Sequence, residues 1–401
     1  MSQKLFRNLR LVNSEFTGSE AKRAFIVEAG LITWMGSQNQ IPKKLKPKKE
    51  FDLKNNLVFP SFIECHTHTV FAGSRAQEFE MRNQGVSYLE IAERGGGILS
   101  TVQATRATSA KSLTALTQKR VNNFLAQGVS TLEIKSGYGL DLKNEIKVLQ
   151  VIKNLKGPRI ISTFLGAHAK PAEFKTHEDY LQYLVTTVLP VVKKKKLSDR
   201  VDIFIENKFF EKSASQKYLE AAKKLGFAVT IHANQLSFSE GADLALELSA
   251  HSADHVIHLN ENHIKAFAKS KTVAVLLPAA DLYMRCAYPS ARKLIDAGAT
   301  VALATDFNPG SCPTQDLALV GLLARLEMKM SLPEVFKAYT SGAAQALGVS
   351  DAEGQLLVGK SANFISTAAE LNDFFYSAGS TPKHQLFIRG NEIKSTIIAR
   401  D

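Results

Sequence analysis

From residue 57 onward, eight short runs of apolar, β-branched character alternate with longer stretches of helical period. The runs fall at 57–66, 129–135, 159–167, 201–205, 228–232, 252–257, 272–278 and 300–305. Helical patterns at 112–127, 143–156, 178–195, 213–225, 240–248, 261–269 and 290–297 fill the intervals between runs. Strands separated by helices read as repeated βα units, which build a parallel sheet with helices over its outer face. Eight units over roughly 300 residues predict an α/β fold, a (β/α)8 TIM-like barrel. The barrel is expected at 57–358, leaving both chain ends over. Segments 1–56 and 359–401 carry strand-like pieces at 4–12, 23–28, 31–35, 362–366 and 385–392, closed by turn signals. They predict one small β-sandwich domain, built from both ends and standing beside the barrel.

Composition narrows the class. With 45% hydrophobic and 22% charged residues, the chain is neither disordered nor of low complexity. No charge-free apolar stretch of the ~20 residues needed to cross a bilayer is present, so no membrane association is expected. Charge at Lys4 and Arg7, followed by Asn8, interrupts the start too often for the core of a signal peptide, so a cytoplasmic location is expected. Cys65, Cys286 and Cys312 are few, distant and without a CxxC pair, which suggests neither a disulfide framework nor a thiolate zinc site. The formal charge of +12 raises the question of nucleic acid. Its densest runs, 42–49 and 193–196, lack interleaved aromatics and sit beside turns or helix ends. Solvated surface is the expectation, with no nucleic-acid partner.

In a barrel of this kind the active site lies at the C-terminal ends of the strands. Those ends are rich in histidine. The first run closes on His66-Thr67-His68, and residues two apart on a strand point the same way, so both imidazoles can reach one ion. The fifth run ends in His232, the sixth carries His255, and the eighth ends in Thr305-Asp306. His66, His68, His232 and Asp306 therefore predict one divalent metal per chain, zinc or iron, since both accept imidazole and carboxylate. Such an ion leaves room for a water, lowers its pKa towards neutrality and so provides hydroxide for a polarised carbonyl or amidine carbon.

The chain resembles the amidohydrolase superfamily and, within it, the imidazolonepropionase family of histidine degradation. The residues that carry the likeness are His66-Thr67-His68 with Phe71-Ala72-Gly73-Ser74-Arg75, Gly95-Gly96-Gly97-Ile98, Lys135-Ser136-Gly137-Tyr138-Gly139-Leu140, Gly166-Ala167-His168, His232-Ala233-Asn234-Gln235, Ser252-Ala253-Asp254-His255, and Ala304 to Ser311. The resemblance implies hydrolytic opening of the cyclic amide of 4-imidazolone-5-propanoate, giving N-formimidoyl-L-glutamate. It implies Asp306 as the residue that accepts and relays a proton while ligating, and His255 as the group that polarises the carbonyl oxygen. In a binuclear subtype His255 would be a ligand instead, together with a carboxylated lysine on strand four; Lys208 follows that strand.

For the substrate's propionate the resemblance points to Arg75, whose planar guanidinium suits a carboxylate. Tyr138 and His168 are implied as ring contacts, and Asn308, Gly310 and Ser311 as donors to an anionic end of substrate or product. Gln235 is expected among both the catalytic and the substrate-binding residues. Deaminases of the superfamily place Glu there, and an amide hydrogen-bonds a ring but cannot act as a general acid. This argues against the runner-up, hydrolysis of an aminated heterocycle, while a hydantoin-like ring remains open. The resemblance also admits a homodimer. Residues 95–97 are expected to form a lid or hinge, and His177, His251, His258, His263 and His384 to be structural.

Overall fold

A computed structural model of the chain describes residues 3–44, 46–86, 90 and 96–393; Gly95 of the expected lid lies outside them. Four strands come first: β1 (Lys4–Val12), β2 (Ser19–Glu28), β3 (Leu31–Ser37) and β4 (Lys49–Pro60). Eight then form the barrel: β5 (Phe62–Glu64), β6 (Val129–Lys135), β7 (Arg159–Ala167), β8 (Arg200–Ile205), β9 (Ala228–Ala233), β10 (Ser252–His255), β11 (Val273–Leu276) and β12 (Val301–Leu303). Three more follow among the described residues: β13 (Phe364–Thr367), β14 (Gln385–Ile388) and β15 (Asn391–Ile393).

β5 to β12 are hydrogen-bonded in sequence order, every pair parallel, with helices in the connections. The circle closes just beyond the ends of β5 and β12. There the Asp306 amide donates to the His66 carbonyl (3.2 Å) and the His68 amide to that of Phe307 (2.9 Å). Closure thus falls at the C-terminal rim, on the expected ligands themselves. Along the strands, alternate residues face the axis. Leu132, Ile134, Val201 and Ile203 join the apolar layer beneath the helices. Glu133, Lys135, Asp202 and Asp254 turn inward and meet one another.

The run at 57–66 is divided between two sheets. Leu57 and Val58 pair with β13, as do Phe59 and Pro60, so these residues belong to β4, and the barrel strand begins only at Phe62. A continuous apolar run reads alike for both sheets, and Pro60, which has no N–H, marks the change. The helical pattern at 178–195 contains a wide turn at Leu184–Val188 just before Pro190, whose missing N–H cannot continue the ordinary ladder.

The chain ends form one mixed sheet, ordered β15-β14-β13-β4-β1-β2-β3. It curls on itself: the rings of Phe6 on β1 and Phe387 on β14, three strands apart, lie 5.5 Å centre to centre. The curl gives the two facing layers expected of a small sandwich, filled by Phe6, Phe25, Phe364 and Phe387. Cys65, Cys286 and Cys312 form no disulfide. Among the described residues, no helix is long and apolar enough to cross a membrane.

Candidate active site

At the C-terminal mouth of the barrel a cavity of about 220 Å³ is lined by most of the residues singled out from sequence. His68, Arg75, Tyr138, His168, His232, Gln235, His255, Asp306, Asn308, Gly310 and Ser311 all border it, with His66 fully buried behind them. The strand ends bend to make this possible. His255 (φ 75°), Asp306 (φ 54°) and Asn234 (φ 51°) hold left-handed backbone conformations that side chains disfavour, so strain is spent on aiming these groups. The bend at His255 also ends β10 before the run read from sequence does.

Two overlapping sets of ligand atoms share His66: one with His68 and Asp306, the other with His232 and His255. His68 Nε2 and His232 Nε2 lie 3.4 Å apart, and Asp306 Oδ1 lies 3.3 Å from His68 Nε2 and 3.4 Å from His66 Nε2. His66 Nε2, His255 Nδ1 and Asp306 Oδ1 are buried without a hydrogen-bond partner. Orphaned donor atoms converging on one point are costly unless an ion satisfies them. Burial pulls the His68 imidazole down to about 4 and that of His255 to about 3, leaving both neutral with lone pairs to offer. Burial and Lys135 depress His66, but the charge and hydrogen bond of Asp254, with help from Asp306, carry it up to about 9. Burial works against the charge on Asp306, yet the adjacent imidazoles of His66 and His68 hold its carboxyl well below the usual range.

Charge makes the same case. Glu133, Asp202, Asp254 and Asp306 share the barrel interior with two cations, Lys135 and Arg200. Burial raises Glu64 to about 8, so it is protonated at neutral pH. The excess of two negative charges suits one divalent cation, whose ligation replaces the proton His66 otherwise holds. The residues therefore fit a single divalent ion. Lys208 is exposed and outside the cavity lining, so the lysine of a binuclear set is not brought to the site.

Behind the ligands, His66 Nδ1 lies 2.6 Å from Asp254 Oδ2 and His232 Nδ1 lies 3.0 Å from Asp202 Oδ2. The sequence alone assigns no role to Asp202, Glu133 and Lys135. Charged residues at alternate positions of otherwise apolar strands were the available signal, since period two sends them to the barrel axis.

The substrate end is organised by loops. Arg75 Nε donates to Glu78 Oε2 (2.7 Å), and its guanidinium lies against Gly310. Arg82, unremarked in the sequence, lines the same cavity and donates to the Gly310 carbonyl (3.2 Å) and towards Met284 Sδ (3.1 Å). Asn308 is committed within its own loop. Its Oδ1 accepts from the amides of Gly310 (2.8 Å) and Ser311 (2.7 Å), and its Nδ2 donates to Ser311 Oγ (2.8 Å). His168 Nδ1 faces the Gly137 carbonyl (3.1 Å), and its ring stacks on His68 with centres 5.2 Å apart. A carbonyl at Nδ1 requires the proton there, so Nε2 is left as an acceptor. Glu206 accepts from the Leu236 amide (2.8 Å) and from Ser237, which fixes the loop carrying Gln235. The five histidines expected to be structural do not line the cavity; His263 closes a helix cap with Asn260.

Residues 57–398 match the amidohydrolase family. An imidazolonepropionase of Bdellovibrio bacteriovorus is 52% identical over 97% of this chain and 92% of its own length. One from Fusobacterium nucleatum is 40% identical over 91% and 90%. Among solved structures, an adenosine deaminase from Xanthomonas campestris with bound zinc superposes with a TM-score of 0.76 at 17% identity, covering 100% of this chain and 95% of that one. Guanine deaminase of E. coli gives 0.68 at 14%, covering 98% and 99%. These two likenesses show the fold.

Proposed function

The chain belongs to the amidohydrolase family, and from that premise we propose that it opens the ring of 4-imidazolone-5-propanoate by hydrolysis, giving N-formimidoyl-L-glutamate. The observation that carries this reading is the buried His/Asp cluster at the floor of a cavity whose rim holds guanidinium groups. His66, His68, His232 and Asp306 would hold the ion. A divalent ion bound there supplies Lewis acidity and lowers the pKa of water into the working range.

The chain's own groups supply the rest. The Asp306 carboxylate takes the proton that the attacking water gives up and returns it to the ring nitrogen as the amide C–N bond breaks. His255, kept neutral by burial, donates an N–H to the carbonyl oxygen as charge builds there. His168 Nε2 accepts a ring N–H, and the Tyr138 hydroxyl and the Gln235 amide hydrogen-bond the heterocycle. Glu78 occupies Arg75 Nε, which leaves the two Nη groups to face the propionate. Ser311, whose oxygen already accepts from Asn308, turns its proton to an anionic end. Asn308 shapes that loop and Gly310 lets the guanidinium approach it. Phe204, Phe209 and Leu236 on the cavity wall keep water from the ring.

The identity of the product tests the reading. Purified protein should convert 4-imidazolone-5-propanoate to N-formimidoyl-L-glutamate and leave aminated purines and pyrimidines untouched; ammonia release from the latter would favour a deaminase. We further propose a cytoplasmic enzyme that pairs through barrel helices as a homodimer, which a solution mass of one chain would refute.

A further inference from the structure

Lys135 lies inside the barrel and is almost fully buried, yet it touches neither the cavity nor a ligand atom. Its ammonium lies 2.9 Å from Glu133 Oε1, 2.9 Å from Asp202 Oδ2 and 3.7 Å from Asp254 Oδ2. Those two aspartate oxygens are the same atoms that hold His232 Nδ1 and His66 Nδ1. One cation on the second barrel strand thus reaches across the axis to the carboxylates of the fourth and sixth, each of which orients one imidazole. Asp202 has further anchors, for its Oδ1 accepts from the amides of Ile203 (2.7 Å) and His232 (3.3 Å). Among the described residues, Asp254 has beyond His66 and Lys135 only a 3.4 Å approach from Thr230 Oγ1.

We propose that Lys135 is a positioning residue for the metal: by bridging Asp202 and Asp254 it fixes the rings of His232 and His66, so that both present Nε2 to one ion. This rests on reading those two histidines as ligands. A charge network serving the fold alone could be replaced as a whole by apolar packing at little cost, whereas removing its cation alone leaves buried carboxylates unpaired. Here the oxygens it holds are the ones that face the rings, at 2.6 Å from His66 Nδ1 and 3.0 Å from His232 Nδ1, and outer partners of metal-binding histidines typically govern affinity by ten- to a hundredfold.

The test uses the zinc-loaded full chain, Lys135→Met, and the double variant Lys135→Met/Glu133→Gln. The second removes with the ammonium a carboxylate that contacts neither histidine ring. Each protein is titrated with a competing chelator, and its thermal midpoint is recorded with and without zinc. The expected result is a folded metal-free variant whose zinc is stripped at a free-zinc level at least about tenfold higher than for the parent, with a smaller zinc-induced rise in the midpoint. A folded variant holding zinc as tightly as the parent would overturn the proposal. So would failure of both variants to fold with or without zinc, which would make Lys135 a residue of the fold alone. If the parent itself takes up no zinc or iron, the ligand reading fails first, and the two failures are told apart.

Discussion

Replacing Gly310 by alanine perturbs the carboxylate subsite without touching a charged group. The backbone at Gly310 is outside the left-handed region, so the effect is steric alone. An ideal methyl would stand 3.0 Å from Arg75 Nε, with Cζ and Nη1 well inside contact distance. The guanidinium is the far end of a flexible side chain, so it moves and the backbone does not; Glu78 at 2.7 Å must then loosen its hold. Hydrogen bonds to a charged group contribute about 1.5–3 kcal/mol each. Losing one of the Arg75 contacts should thus lower kcat/KM for 4-imidazolone-5-propanoate by roughly 10- to 150-fold, at about 1.4 kcal/mol per tenfold. Arg75→Ala sets the ceiling, and the double variant should lose little more than Arg75→Ala alone, because both changes remove one interaction. The assay is loss of ring absorbance in steady state, with an imidazolone lacking the propionate as control; on it the variant and the parent should be equal. Unchanged kcat/KM in Gly310→Ala, or an equal loss on the control substrate, would refute the placement of Arg75.

Asp306→Asn keeps the shape but cannot take a proton, and should lower kcat by at least about a hundredfold, measured alongside metal content to separate ligation from proton transfer. Gln235→Glu should not confer ammonia release from aminated heterocycles, since the cavity is otherwise arranged for a carboxylate-bearing ring; measurable deamination would contradict this. Burial holds His168 well below its ordinary value of 6.5. The unfolded chain takes up that proton from about pH 6.5 downward while the folded one does not, so stability falls as pH falls, by about 1.4 kcal/mol per unit for each such group. His168→Asn should flatten this acid arm of the unfolding curve by one proton's worth, as read from denaturant midpoints between pH 6.5 and 5.

The barrel was legible because period two and period 3.6 alternate so regularly. β6 and β7 have the bounds their sequences suggest. The rim strands were less so. β10 stops short where His255 and Val256 take positive φ, a tertiary demand of the site that no propensity records, and β12 ends at Leu303, ahead of the bend at Asp306. Leu57 to Phe59 read as barrel because an apolar run does not say which sheet it joins. The metal-facing residues were visible because ligands fall at strand ends in order. The network of Glu133, Asp202, Asp254 and Lys135 depends on strands two, four and six meeting at one height, and that height is set by barrel register rather than by local pattern. Arg82 and Met284 come together from helices far apart in the chain, Ala76–Asn83 and Pro278–Met284, a contact that sequence alone leaves unmarked.

The central claim, one divalent ion held by His66, His68, His232 and Asp306, is tested most directly by elemental analysis of the purified chain coupled to ring opening before and after chelation. The account predicts close to one zinc or iron per chain, activity lost with the metal and regained on its return. A folded chain without metal that opens the ring at full rate would contradict it.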